Sequence, residues 1–330
     1  MACHVGVLPA DLLQALSHQL EDSALQGSGS IGSGGGGLCF LRFPHPRTGI
    51  PSLFLPYEQP DGVKTSLLEV QAVAPPNPRS WFVHEEVVED GKLLMMTPID
   101  PVFLLIPLLR VTQPTAGSGN FLPPEDLIEE AANKLVSGNS ETPLSPDDVQ
   151  RLSSLRCIQA AMQHVCEYKK ITAEVVVYRY SAERVQTYLR TKVARLSHKD
   201  VSELSRTLTR SFAKDGLMDD GKEDMLQAAR LRAACDLVSQ YLARDVYESL
   251  LSSYDFVALD AYMKVLKDEA MALAASKMNA IEAKESGDSK VPKDQGNDKK
   301  RKPRASTGVD KLKKANTKGM AKLSTFFQKK

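Results

Sequence analysis

The sequence predicts an α+β protein in which a small β part is followed by a helical part and a basic tail. Residues 38–96 contain short apolar runs separated by Gly, Pro, Asn and Asp, as in strands joined by turns. Residues 97–275 carry apolar residues at helical spacing, whereas residues 276–330 contain few apolar residues. These patterns predict a β domain, a helical domain and a disordered tail, with a flexible segment before them at residues 1–37.

Charge is distributed unevenly along the chain. The 330 residues carry a net charge of +1, but residues 299–330 hold twelve Lys and Arg against one acid, Asp310. The body is therefore acidic and the tail basic, as in proteins whose tail meets nucleic acid, an acidic partner or a transport receptor. The longest apolar run, Pro101–Leu109, is too short to cross a bilayer, so no membrane partner is expected.

Residues 1–37 predict a weakly amphipathic start and then a linker. Leu12, Leu13, Leu16 and Leu20 recur at helical spacing. Seven of the eleven residues of Gly27–Gly37 are glycine, and they lack the following Lys and Ser/Thr of a phosphate-binding loop. A flexible linker is the better interpretation of this stretch.

Five runs in the β part predict strands. They are LCFLRF, SLFLPY, LLEVQAVA, SWFVHEEVV and KLLMM. Five strands at this spacing indicate a small β barrel or half of one. So few strands leave sheet edges unpaired, which favours a partner chain that completes the sheet.

The helical part is expected to begin with a short buried helix in TPIDPVFLLIPLLRV that Pro107 interrupts or ends. Further helices are predicted in PPEDLIEEAANKL, in SPDDVQRLSSLRCIQAAMQHVCEY with Ser145 as its cap, and after VVVYRY with Ser181 as its cap. A long helix from Asp224 to about Leu251 follows, and FVALDAYMKVLKDEAMALAASKM predicts another.

Acidic pairs are the first candidates for a catalytic metal site. The pairs are Glu85/Glu86, Glu129/Glu130, Asp147/Asp148 and Asp219/Asp220. Asp147 and Asp148 stand at a predicted helix start, where the helix dipole favours acids, and Asp219 and Asp220 stand in a glycine-containing loop. The six histidines form no HExxH motif and the five cysteines no CxxC pair. We therefore expect no metal site in this chain.

Four apolar or weakly polar residues have a structural interpretation. Trp81 is the only tryptophan, and its place in an alternating strand favours a core or subunit-interface anchor over a base-stacking platform. Cys157, Cys166 and Cys235 fall in predicted helices, which favours small buried side chains over reactive thiols.

Several segments together resemble the family of the ribonuclease H2 B subunit. They are LCFLRFPHPRTGIPSLFLPY, RSWFVHEEVVEDGKLLMMTPIDPVFLLIPLLR, YRYSAERVQTYLRTKV and CDLVSQYLARDVYESL. The second has the family's Ser-Trp-Phe at Ser80–Phe82 and its Thr-Pro-x-Asp-Pro-x-Phe-Leu-Leu at Thr97–Leu105. The third is similar to the family's Tyr-x-Tyr-Ser helix entry, and the fourth to its last helix. The resemblance covers most of Leu38–Leu251 and the tail.

The resemblance implies a non-catalytic member of an endoribonuclease complex. In that family, the B subunit shares a triple barrel with the C subunit, continues into a winged-helix-like domain and supports the catalytic A subunit. The heterotrimer degrades RNA in RNA/DNA hybrids and incises at single ribonucleotides embedded in DNA. Because its two-metal site belongs to the A subunit, the resemblance implies no catalytic residue and no cofactor here, with Mg only in the catalytic subunit.

The end of the tail matches a sliding-clamp motif, Gln-x-x-(Leu/Ile/Met)-x-x-aromatic-aromatic, at three of its four positions. Leu323, Phe326 and Phe327 take the aliphatic and aromatic places, and Met320 replaces the glutamine. Because residues three apart stack in a 3₁₀ turn, these side chains would form an apolar plug for proliferating cell nuclear antigen. The alternative is that the rings dock on the protein's own body.

A basic cluster precedes this motif. It comprises Lys299, Lys300, Arg301, Lys302 and Arg304. Such a cluster is typical of nuclear-import signals and also of segments that bind phosphates without sequence preference. We expect the protein in the nucleus.

The sequence leaves two functions open. The first is a ribonuclease H2 scaffold that binds the A and C subunits, meets RNA/DNA hybrid through the complex and is tethered to the clamp. The second is a clamp-recruited DNA-repair adaptor whose winged-helix-like domain binds duplex DNA. A stand-alone nuclease ranks behind both, because the acidic pairs do not form a catalytic pattern.

Overall fold

A computed structural model describes residues 4–14, 16 and 17, 39–58, 65–114, 119–137, 144–173 and 175–287. The chain divides into two units, Met1–Asp268 and Glu269–Lys330. The first unit contains the sheet and the helices up to the start of the last one, so the predicted α+β class is confirmed.

A five-stranded sheet and a separate hairpin form the N-terminal part. The strands are β1 (Val5–Val7), β2 (Leu41–Pro44), β3 (Pro51–Glu58), β4 (Thr65–Val73), β5 (Trp81–Val83), β6 (Glu86–Val88) and β7 (Leu93–Ile99). The sheet order is β1-β7-β4-β3-β2, antiparallel except where β1 pairs with β7. Since β1 and β2 are short, each outer edge offers little backbone to another strand.

The run SWFVHEEVV forms two strands, so the single predicted strand is wrong. β5 turns at His84 and returns as β6, with Val83 opposite Glu86. His84 has a φ of 54°, a left-handed conformation that is uncommon outside glycine but enriched for histidine. No Gly or Pro marks this turn, which explains why the alternation predicts one continuous strand.

The segment before the first predicted strand is ordered in its described part, so the expectation of a flexible segment is wrong there. β1 joins the sheet, and residues 10–14 and 16–17 are helical. Leu12 is fully buried and packs in a cluster with Leu55. Leu12, Leu13 and Leu16 thus lie in a helix as predicted, whereas Leu20 and Gly27–Gly37 lie outside the described residues.

Both faces of the sheet are covered. Phe54 belongs to the large core that the sheet shares with the helices, while its neighbour Leu55 packs with Leu12 on the opposite face. Successive residues of a strand point to opposite faces, so burial on both sides gives a continuous apolar run rather than alternation.

The helical domain surrounds a second hairpin. Its helices are α1 (Pro101–Arg110), α2 (Pro124–Ser137), α3 (Pro146–Ser154), α4 (Arg156–Val165), α5 (Ala182–Ser197), α6 (Lys199–Ser202), α7 (Arg206–Lys214), α8 (Glu223–Val238), a 3₁₀ turn (Ser239–Tyr241), α9 (Arg244–Leu251) and α10 (Val257–Gly287). The hairpin comprises β8 (Cys166–Lys170) and β9 (Val176–Tyr180), between α4 and α5. Ser181 caps α5 as predicted, because its side chain accepts the N–H of Arg184 at 3.4 Å.

Pro107 neither interrupts nor ends α1, contrary to expectation. The helix continues to Arg110, and the residues around the proline are buried in the main core. Proline removes only one backbone hydrogen bond of the helix, and packing on both sides of α1 holds the remaining turns in place.

Two predicted long helices are divided. The one predicted through Tyr168 breaks at Leu155, whose backbone is extended, and ends at Val165 where β8 begins. The one predicted from Asp224 to Leu251 breaks before Leu242, which is extended and buried. In both cases a leucine at the break packs in or against the core. In a continuous helix the side chain of that leucine would point in another direction and lose this contact.

α10 extends to Gly287, so the boundary of the predicted disordered tail at residue 276 is wrong for its first twelve residues. Alanine, methionine, lysine and glutamate dominate this stretch and have high intrinsic helix propensity. A helix of such residues can form without a packed core. The small number of apolar residues therefore does not locate the start of the disordered tail correctly.

Candidate functional site: a partner-binding surface

An apolar surface is open at one end of the sheet. Val73 pairs with Leu93 there, and the chain between them includes the β5–β6 hairpin. Phe82 is 82% exposed and lies directly opposite Val87, which is 55% exposed. We call the exposed pair Phe82 and Val87 the hairpin surface. Exposed apolar side chains that lie side by side are typical of surfaces that contact another protein.

The base of the hairpin is fixed against the start of β7. Trp81 donates from Nε1 to the carbonyl oxygen of Lys92 at 3.2 Å. At Gly91, a β-carbon would lie 2.2 Å from the carbonyl oxygen of Arg79, so only glycine fits this approach. Trp81 is partly buried, and its role as a subunit-interface or core anchor stays a prediction.

A buried carboxylate joins the sheet to the helical domain. Glu69 of β4 is 2% exposed, and its Oε2 accepts from Gln71 at 2.9 Å and from the Tyr241 hydroxyl at 3.0 Å. His45 Nε2 lies 3.4 Å from Glu69 Oε1. Because His45 Nδ1 accepts two backbone N–H groups, the ring proton is on Nε2 and faces the carboxylate. Both oxygens of Glu69 therefore have partners, as burial of a carboxylate requires.

Tyr241 reaches this carboxylate from the 3₁₀ turn after α8. Its ring stacks on His45 and on Phe103, with centroids 5.7 and 5.2 Å apart. Burial, and then the charge of Glu69, raise the pKa of Tyr241 to about 12. The hydroxyl consequently remains a hydrogen-bond donor at neutral pH.

A second, partly buried carboxylate lies where the sheet meets α1. Asp100 caps this helix, since Oδ1 accepts the N–H of Val102 at 3.0 Å. Oδ2 accepts the Tyr188 hydroxyl at 2.6 Å and pairs with Lys192 of α5. Burial raises the pKa of Asp100, but the hydrogen bonds outweigh it and leave this pKa below its ordinary value. We call Glu69, Asp100 and their partners the junction.

The β8–β9 hairpin carries cations that have partners within the domain. Lys169 Nζ lies 4.2 Å and Arg179 Cζ 4.4 Å from the centroid of the Phe121 ring. Arg179 also pairs with Glu167 at 2.6 Å, and Arg184 donates to two backbone carbonyls. These contacts hold the hairpin against α5. The positive charges of the hairpin are partly neutralised by Glu167.

The acidic pairs do not converge. Asp147 and Asp148 lie in the first turn of α3, where Asp148 accepts the backbone N–H of Arg42 at 3.2 Å. Asp219 pairs with Lys222 at 3.3 Å. Within the described ranges, no three His, Cys, Asp or Glu side chains are placed to hold a metal ion.

Two of the three cysteines are buried as predicted, and one of these two is not in a helix. Cys166 and Cys235 are fully buried, whereas Cys157 is only partly buried. Burial raises the pKa of Cys166 to about 12 and that of Cys235 to about 11, so both are thiols at neutral pH. Cys166 begins β8 and is not helical as predicted. Of the helices that the structure describes, none has the length and apolar character of a membrane span.

The tail residues that the sequence singles out lie outside the described residues. These are Met320, Leu323, Phe326 and Phe327 of the clamp motif and Lys299, Lys300, Arg301, Lys302 and Arg304 of the basic cluster. Their roles stay predictions.

The junction is missing from the sequence prediction. For Glu69 the sequence signal is a single acid within the apolar run LLEVQAVA. An acid at a buried strand position requires partners, but their identity depends on tertiary contacts with His45 and Tyr241, 24 and 172 positions away along the chain.

Two family models match consecutive parts of the chain. Residues 31–100 match the triple barrel domain of the Ydr279p protein, and residues 103–251 match the wHTH domain of the Ydr279p protein family, described as an RNase H2 complex component. Together they cover about two thirds of the chain. They meet at Asp100, where the sheet ends and α1 begins.

Several relatives are named as the ribonuclease H2 B subunit. The chain is 26% identical over 218 residues to the ribonuclease H2 B subunit of Bos taurus, covering 65% of this chain and 63% of the relative. Identity to the Xenopus laevis protein is 29% over 176 residues, covering 52% and 51%. Identity to the Homo sapiens protein is 26% over 299 residues, covering 88% and 86%. The chain spans about half to two thirds of the length of the first two.

Proposed function

The chain belongs to the family of the ribonuclease H2 B subunit, and we propose that it is the non-catalytic scaffold of a ribonuclease H2 complex. In this proposal it binds the C subunit through the β domain, supports the catalytic A subunit and tethers the complex to the sliding clamp. The complex degrades RNA in RNA/DNA hybrids and incises at single ribonucleotides embedded in DNA.

The hairpin surface is the observation that supports the binding of the C subunit. Phe82 and Val87 form an exposed cross-strand pair at the open end of the sheet. Folding leaves this apolar area in water, and burial against another protein would recover roughly 25 cal/mol for each Å² removed from water. The surface lies in the part that matches the triple barrel model.

Catalysis and its magnesium belong to the A subunit in this proposal, so the chain itself needs no cofactor. The junction gives the chain a mechanical role instead. Glu69 and Asp100 hold the sheet to the helical domain, so a partner bound on the sheet is positioned relative to whatever the helices contact.

The tail contains the proposed clamp-binding motif and the proposed nuclear-import signal. Met320, Leu323, Phe326 and Phe327 would bind proliferating cell nuclear antigen, and the cluster at Lys299–Arg304 would direct nuclear import. Burying four apolar side chains yields roughly 6–12 kcal/mol. Ordering about eight residues costs a similar amount. We therefore expect micromolar or weaker affinity.

Co-expression tests the scaffold role. Full-length chain, tagged and expressed with the A and C subunits, should purify as a three-chain complex that cleaves RNA/DNA hybrid. The chain expressed alone should not cleave it. A soluble monomer that ignores both subunits would favour the alternative, a clamp-recruited DNA-repair adaptor, while hybrid cleavage by the pure chain alone would contradict both.

A peptide titration tests the tether separately. A peptide covering Gly319–Lys330 should bind the clamp, and the Phe326→Ala/Phe327→Ala peptide should lose that binding. The matched control is Lys329→Ala/Lys330→Ala, which keeps the apolar side chains and should weaken binding only slightly. Equal binding by all three peptides would contradict the proposed plug.

A further inference from the structure

Helix α7 presents an exposed face that contains cations and no acid. The exposed residues of this helix are Arg206, Thr207, Arg210, Ser211, Ala213 and Lys214. On a helix of 3.6 residues per turn they occupy one continuous arc, with the partly buried Leu208 and Phe212 on the opposite side. Phe212 packs against the cluster around Leu217, which fixes this orientation of the face.

The charge pattern of this face does not help the helix to fold. Arg206, Arg210 and Lys214 follow one another at intervals of four, where like charges repel. Arg206 also opens the helix, and the first turn holds no acid to match the positive end of the dipole. A pattern that opposes local stability is expected where the residues serve a binding partner.

Two nearby carboxylates have other partners. Glu203 pairs with Arg230 at 3.0 Å, and Asp215 accepts the Ser211 hydroxyl at 3.5 Å. Within the described part of the chain, Arg206, Arg210 and Lys214 make no ion pair. The cations of the β8–β9 hairpin differ in this respect, because Arg179 pairs with Glu167.

We propose that α7 binds the phosphate backbone of a nucleic-acid duplex. Arg206 to Lys214 span about 12 Å of helix axis. One strand of a duplex places a phosphate every ~3.4 Å of its axis, so the three cations match a run of three to four phosphates. Two of the three are arginines, whose planar group can bind a phosphate through two N–H donors. The inference rests on the proposed function only for the choice of nucleic acid as the polyanion.

Salt dependence of binding to a short duplex DNA tests the proposal. The full-length chain is used in the form in which it purifies, alone or with the co-expressed A and C subunits. A failure to form the three-chain complex is therefore seen separately from a failure to bind the duplex. Arg206→Gln/Arg210→Gln/Lys214→Gln should lower the slope of log K against log salt by about 0.9 per lost phosphate contact, hence by about 2.7. An unchanged slope would overturn the proposal.

A second variant controls for net charge. Lys264→Gln/Lys267→Gln/Lys277→Gln removes three exposed lysines from α10 and leaves the basic tail intact. The slope should stay at the wild-type value, and an equal decrease in both variants would mean that only bulk charge matters, which would contradict the proposal. Circular dichroism should show an unchanged or higher melting temperature for the α7 variant, because like-charge repulsion is removed.

Polyglutamate distinguishes a duplex from an acidic peptide. The peptide should displace the duplex only at high concentration, and the α7 variant should bind it as wild type does. If the α7 variant loses polyglutamate binding but keeps duplex binding, the partner is an acidic protein segment and the proposal is wrong.

Discussion

The junction and the hairpin surface differ in which groups they shield from water: the junction shields charged side chains, whereas the hairpin surface exposes apolar ones. At the junction, Glu69 is buried and Asp100 is partly buried, and each accepts a hydrogen bond from a tyrosine that is distant in sequence. At the hairpin surface, Phe82 and Val87 are apolar and remain in water. A buried charge with full partners serves to fix two parts of one chain, whereas an exposed apolar pair serves a contact outside it. Mutations in the two regions should therefore have separable effects.

Asp100→Ala should cause the largest loss of stability, about 3 kcal/mol, because it removes a helix cap and leaves the Tyr188 hydroxyl and Lys192 without their partner. Urea unfolding measures this loss. Asp255→Ala is the matched control, since Asp255 accepts the N–H of Val257 before α10 and should cost about 1 kcal/mol. Equal losses would show that the partners on α5 contribute nothing.

Tyr241→Phe should cost about 1–2 kcal/mol, since the buried Glu69 carboxyl group then has one hydrogen-bond donor fewer. Urea unfolding again reports the change. Tyr168→Phe, at a partly exposed ring of the β8–β9 hairpin, should have no measurable effect. A Tyr241→Phe protein as stable as wild type would show that the junction at Glu69 is not stabilising.

Acid should weaken the junction through Asp100. Its folded pKa lies below the ordinary value, so its contribution to the free energy of unfolding is present above the unfolded pKa of about 3.9 and lost as pH falls through the folded pKa. Urea unfolding followed from about pH 5 down to about pH 2 should therefore show a steeper decline for wild type than for Asp100→Asn. Parallel declines would contradict the assigned role of Lys192 and Tyr188.

His84→Gly should have the smallest effect on stability, a change within about 1 kcal/mol, since glycine relieves the left-handed backbone but loosens the unfolded chain. Thermal unfolding measures it. Gly91→Ala provides the contrast, because its β-carbon would collide with the Arg79 carbonyl and displace the hairpin. If Gly91→Ala were as benign as His84→Gly, the hairpin would not be fixed at its base.

The sequence predicts the parts that depend on local patterns. The α+β class, the Ser181 cap and burial of Cys235 follow from spacing and residue type. The His84 turn and the break before Leu242 do not, because no Gly or Pro marks them and tertiary packing decides both. The contacts of Glu69 with His45 and Tyr241 cannot be predicted from the sequence either, since both residues are distant from it along the chain.

The most direct test of the account compares two charged substitutions in co-purification with the C subunit. Phe82→Asp/Val87→Asp should abolish co-purification and leave the free energy of unfolding nearly unchanged, because both side chains are exposed. Leu204→Asp is the control, as Leu204 is 81% exposed but lies between α6 and α7, and it should co-purify as wild type does. Normal co-purification of the Phe82/Val87 variant would contradict the assignment of the hairpin surface as the binding site.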